Sequence, residues 1–110
     1  MTDKSAELVQ GTLDMLILKT LALEPMHGYG IAVRIEQTSK GVFHLNAGSL
    51  FVAIQRLQRD GLIQGEWKSS ENNRRAKYYV LTANGRKRLQ SETREWDRQV
   101  AAIARILEAS

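Results

Sequence analysis

The feature that most limits the fold is an apolar seam near the end of the chain. Leu89, Thr93, Trp96, Val100, Ile103 and Leu107 recur at steps of four, three, four, three and four residues. That is the heptad spacing by which one helix packs lengthwise on another. A helix of about 25 residues is needed to carry the seam, and it runs about 38 Å. Only roughly 80 residues stand in front of it, a domain too small to cover such a stripe from end to end. The stripe can fold back on its own domain or meet a second copy of the chain across a two-fold interface. Its length favours the second copy.

The segments ahead of the seam change period in a fixed order. Leu8 to Leu23 holds Val9, Leu13, Leu16, Ile17 and Leu21 at helical spacing, and Pro25 ends that helix. His27-Gly28-Tyr29-Gly30 opens a second helix with Ile31 and Ile35 inward, closed by Lys40-Gly41. Asn46 caps a third helix from about Ala47 to Asp60, with Leu50, Ala53, Ile54 and Leu57 on one face. Val52, Gln55, Arg56 and Arg59 fall opposite, with Ser49 at the flank. After Gly61 the period drops to two. Ile63 to Lys68 and Ala76 to Leu81 read as strands joined by a polar turn, Ser69 to Arg75, which makes a β-hairpin. Thr82 caps the last long helix, to about Glu108. The predicted fold is mainly α with a small β-hairpin: a winged helix-turn-helix over residues 1–81 and a C-terminal dimerisation helix over residues 82–110.

Charge is distributed along the same plan. The net charge is +4. Arg34 to Arg88 holds eleven Lys and Arg against four acids, a balance of +7, while the remaining five bases and eight acids give −3. A basic middle between acidic ends suits a phosphate-binding face. With 110 residues and no cysteine, the chain cannot form disulfides, thiolate nucleophiles or cysteine-bound zinc. His27 and His44 are too isolated for a metal site. Gly28-Tyr29-Gly30 is only a fragment of a dinucleotide fingerprint, with no strand before it. No catalytic constellation, cofactor or metal is implied. No apolar run approaches a membrane span, and Met1 to Lys4 does not begin a signal peptide, so a cytoplasmic location is expected.

The third helix is the candidate recognition helix, because a helix fits the major groove, where base edges differ. Arg56 suits guanine, Gln55 suits adenine, and Ser49 suits a base edge or phosphate. Arg74, Arg75 and Lys77 at the hairpin suit the minor groove or flanking phosphates. Tyr29, Asn46, Phe51, Val52 and Arg59 complete the expected DNA-contact set. The expected dimer interface is Leu89, Trp96, Val100, Ile103 and Leu107, joined by Leu13 of the first helix.

These residues resemble the PadR family of winged-helix regulators. The likeness runs from Gly11-Thr12-Leu13 and Leu16-Ile17-Leu18 through His27-Gly28-Tyr29, Gly48-Ser49-Leu50-Phe51 to Leu57, and Asp60-Gly61-Leu62-Ile63. Trp67, Arg74, Arg75, Lys77-Tyr78-Tyr79 and Leu81-Thr82-Ala83-Asn84-Gly85 complete it. The resemblance implies a homodimer joined by the last and first helices, binding an inverted-repeat operator on double-stranded DNA as a repressor. It also implies a small aromatic effector near Trp96. The chain departs from the family at Leu50-Phe51-Val52-Ala53-Ile54, where Leu-Tyr-Pro-Ala-Leu is common, and at Ala47, where an acid often stands. Phe51 and Val52 on the reading face support an alternative, a winged helix that docks another protein and has weak or lost DNA binding.

Overall fold

The structure, a computed structural model, describes residues 10–69, 72 and 74–110. In chain order it comprises α1 (Gln10–Leu23), β1 (Met26–His27), α2 (Gly28–Thr38), α3 (Ala47–Arg59), β2 (Ile63–Ser69), β3 (Arg75–Leu81) and α4 (Ala83–Glu108). The expected helical residues Leu8 and Val9, and Ser70, Glu71 and Asn73 of the expected turn, lie outside the described residues.

α1 turns Leu13, Ile17, Leu18 and Leu21 inward, and Ile17 and Leu18 are fully buried. Each such side chain contributes about 1.5–3 kcal/mol by leaving water. Thr20 on the same face donates its hydroxyl to Leu16 O at 2.8 Å, so its burial leaves no free donor. Ile31 and Ile35 from α2 and Leu50, Ala53, Ile54 and Leu57 from α3 close the core from the other side.

The expected two-stranded hairpin is a three-stranded antiparallel sheet of order β1-β3-β2. β1 pairs Met26 with Tyr79 and His27 with Tyr78. Its physical basis is Pro25, which cannot continue a helix and leaves the chain extended just long enough for two residues to pair. His27 therefore ends a strand and caps α2, its Nδ1 accepting the Gly30 N–H at 3.0 Å. Between β2 and β3 the register runs from Ile63 opposite Leu81 to Ser69 opposite Arg75. Ile63, Tyr79 and Leu81 share one face and cover the core, together with Met26.

The junctions follow local rules. Asn46 Oδ1 accepts the N–H groups of Gly48 and Ser49 at 2.7 and 3.1 Å, which starts α3 and is worth about 1 kcal/mol. Gly61, at φ +75°, ends it and lets the Leu62 N–H return to Leu57 O at 3.0 Å. Thr82 Oγ1 accepts the Gly85 N–H at 3.0 Å and donates to Gly61 O at 2.7 Å. One hydroxyl thus ties the exit of α3 to the entry of α4.

α4 has 26 residues, about 39 Å of helix. Leu89 packs against the core, and α1 lies alongside as far as Gln99, where Gly11, Thr12 and Met15 face Glu92, Glu95 and Trp96. Beyond Gln99 nothing among the described residues covers the helix: Val100, Ile103, Ile106 and Leu107 are exposed. The radius of gyration, 15.6 Å, exceeds the about 13 Å expected of a compact chain this long, because α4 projects past the core. No helix among the described residues is long and apolar enough to cross a membrane.

Candidate nucleic-acid interface

The outward side of α3 is a narrow stripe. With Leu50, Ala53, Ile54 and Leu57 buried, the exposed residues are Ala47, Gly48, Ser49, Phe51, Val52, Gln55 and Arg59. Val52, Gln55 and Arg59 follow one another along the helix at spacings of three and four, so they form one row. Phe51 flanks the row on the side of α2. There it joins Tyr29, Ala32 and Leu45 around an open apolar cleft of about 760 Å³ between α2 and α3. Tyr79 lines the base of that cleft, and burial raises its phenol above the usual range, so it stays neutral. Tyr29 is 76% exposed at the start of α2, its ring stacked 6.4 Å from His27. Asn46 stands at the tip of α3 with its carbonyl oxygen already occupied by the cap, leaving its NH₂ free to face a partner.

Arg56 departs from the sequence expectation. It does not share the exposed row. Its guanidinium pairs with Asp14 of α1, and the two side chains are only 19% and 20% exposed. Its Nε is buried with no hydrogen-bond partner among the described residues. A helical wheel sorts polar from apolar residues, but it cannot see an acid 42 positions away on another helix. Arg56 therefore ties α3 to α1, where guanine contact was expected. The Asp14→Ala variant should lose about 1–3 kcal/mol of stability in urea unfolding, since it leaves a mostly buried charge unpaired. Asp14→Leu combined with Arg56→Met should recover most of that. A single variant within about 0.5 kcal/mol of the parent would show that the pair is idle.

Beside α3 the hairpin carries the cations. Arg75 lies over the Trp67 ring at 5.2 Å, and Lys77, opposite Trp67 in the register, reaches over Tyr79 at 5.9 Å. Lys68 does the same over Tyr78 at 5.9 Å from the other face. The charged ends of these cations thus lie over aromatic faces, each contact worth about 0.5–1 kcal/mol at an exposed site. Arg74 is exposed next to them. Arg74, Arg75 and Lys77 are the cations expected here; Lys68 and the rings beneath the cations are additions of the fold. A tyrosine and a tryptophan alternating with cations in the strands were the available signal.

The expected seam residues divide. Trp96, Val100, Ile103 and Leu107 are 43%, 43%, 53% and 79% exposed. Leu89 is partly buried in the chain's own core, and Leu13 is buried there too, so neither presents the face expected of it. The seam has a heptad period throughout, but its first turn lies over the core, which captures Leu89. Leu13 lies on the α1 face that packs inward beside Ile17, and Gly11, Thr12 and Met15 are the α1 residues that border Trp96. Among the described residues no group of three or more His, Cys, Asp or Glu could hold a metal ion.

Solved structures share this arrangement of helices and sheet over most of their length. A transcriptional regulator from Clostridium thermocellum shares 25% identity, with 94% of this chain and 98% of that one covered and a TM-score of 0.84. A PadR family transcriptional regulator from Eggerthella lenta shares 28% identity, with 92% and 86% covered and a TM-score of 0.80. An uncharacterized protein from Lysinibacillus sphaericus is 25% identical over 91 residues, which are 83% of this chain and 84% of that one. Residues 17–91, from the middle of α1 to the third turn of α4, match the Transcriptional regulator PadR-like family. The chain belongs to the PadR-like family, whose members are DNA-binding transcriptional regulators and not enzymes.

Proposed function

We propose that this chain works as a homodimeric repressor that binds an inverted-repeat operator in double-stranded DNA. The observation that carries this reading is the exposed row of α3 beside a hairpin whose cations are held by aromatic rings. Residues 1–81 would supply the DNA-binding unit and residues 82–110 the dimer contact. Val52 and Gln55 would enter the major groove, with Arg59 farther along the row toward the phosphates. Ser49, Phe51, Tyr29 and the Asn46 amide would stand at its edges. Arg74, Arg75, Lys77 and Lys68 would meet phosphates or the minor groove. The uncovered apolar end of α4 supports the dimer, since an exposed patch of large apolar side chains marks an association face. A two-fold axis there sets two copies of α3 on two half-sites. Trp96 would then border the space between the protomers, where the family resemblance places an aromatic effector. A chain with this task works where the chromosome lies, in the cytoplasm.

Selection of bound genomic fragments by the purified protein tests this reading. It should recover a short set sharing one inverted repeat; recovery of random fragments would overturn it. Replacing Arg74 and Arg75 by Ala should weaken binding to operator and random duplex alike. The slope of log K against log salt should fall by about 1 for each phosphate no longer neutralised. An effect restricted to one base position would contradict the phosphate role. The exposure of Phe51 and Val52, 56% and 57%, also favours the second reading, a protein-docking face. That reading expects the random outcome of the selection.

A further inference from the structure

We propose that α3 reads its half-site through the 5-methyl groups of thymine, packed against Phe51 and Val52, with Gln55 pairing to a neighbouring adenine. The inference rests on the DNA-binding reading above and adds to it the chemistry of the sequence that is read. Phe51 and Val52 are the fifth and sixth residues of α3, within the N-terminal part of a recognition helix that reaches base edges. More than half of each side chain lies in solvent. Base edges in the major groove present donors, acceptors and one apolar group, the thymine methyl. Against an acceptor edge such as guanine N7 and O6, two apolar side chains would strip water and return no hydrogen bond. Against a methyl they gain van der Waals attraction and sacrifice nothing polar.

The rest of α3 excludes the usual alternative. Asn46 to Gln55 contains no Lys, Arg or His, so the leading turns have no cation for a bidentate guanine contact. Arg56 is held by Asp14. Arg59 lies seven residues past Val52, about 10 Å along the axis, and its Nε is 3.4 Å from Asp60 Oδ1, a place suited to phosphate. Gln55 is the one exposed bidentate amide in the row, one turn beyond Phe51 and Val52, and its donor–acceptor pair matches adenine N7 and N6. The cations of the hairpin that follows α3 fit a polyanion, which argues for DNA over an apolar protein partner as the occupant of this face.

The test uses an operator obtained by the selection above and a copy in which thymines of the half-sites are replaced by deoxyuridine, which lacks only the 5-methyl. Each read methyl should be worth about fourfold in affinity, and one in each half-site about fifteenfold, from about 0.8 kcal/mol per buried methyl-sized group. The Phe51→Ala, Val52→Ala double variant should bind the two DNAs within about twofold of each other, while its salt slope stays that of the parent. This variant also separates methyl contact from any change in DNA shape that deoxyuridine causes, since shape would still discriminate. Equal affinity of the parent for both DNAs overturns the methyl readout, as does discrimination that survives in the variant. Failure of the parent to prefer the thymine operator over random duplex overturns the DNA-binding reading itself, and the methyl readout with it.

Discussion

Ile103→Asp is expected to leave the chain monomeric, abolishing the proposed dimer without unfolding it. Ile103 is 53% exposed in a single chain and lies past the reach of α1, so its replacement leaves the packing of the described fold undisturbed. In the proposed dimer the same position sits beside Val100 and Leu107 on the uncovered stripe, and a two-fold axis places two new carboxylates in one apolar interface. Neither finds a partner, and burying unpaired charge is strongly unfavourable. Sedimentation should show one chain's mass at micromolar concentration where the parent shows two. Helix content by far-ultraviolet circular dichroism should stay unchanged. Operator affinity should fall at least about hundredfold, since two linked half-site contacts gain about 10²–10⁴ in avidity over one. A variant that sediments as a dimer would show that the stripe of α4 is not the contact.

The second large effect is expected at Gly85, where an added Cβ has nowhere to go. It would lie 2.1 Å from Leu62 O and 2.6 Å from Leu81 Cδ1. The first neighbour is backbone, and it already accepts the Thr82 N–H at 3.1 Å. Gly85→Ala must therefore push the first turn of α4 off the α3–β2 junction. That strains the Thr82 hydroxyl bridge between Gly61 O and the Gly85 N–H. Overpacking of about 1–3 kcal/mol and weakened hydrogen bonds of about 1 kcal/mol each sum to about 3 kcal/mol. At about 4–8 °C per kcal/mol for a domain of this size, the melting temperature should drop by roughly 12–24 °C. A melt within about 2 °C of the parent, at equal chain concentration, would contradict the packing at this junction.

Most element boundaries were legible because the chain marks them chemically. Asn46 and Thr82 announce helix starts, and Gly61 announces a stop. The drop from a period of 3.6 to 2 after Gly61 announces the strands. β1 was not legible: two residues carry no periodicity, and its pairing with Tyr78 and Tyr79 is a long-range event. Arg56 was misplaced for a related reason. Local amphipathicity put it outside, and only the fold brings Asp14 to it. The heptad repeat of the seam is plain in the spacing, but spacing could not show that the core would claim Leu89 and Leu13. What remains open to a partner is the part of α4 that no described residue of α1 covers.

The central claim, sequence-specific binding to duplex DNA through α3 and the hairpin, is tested most directly by one titration. Purified protein is titrated into labelled operator and into a random duplex of equal length, across a salt series. The account predicts affinity for the operator at least about a thousandfold tighter, and binding to both DNAs that weakens steeply as salt rises. Equal, weak affinity for the two DNAs would contradict it.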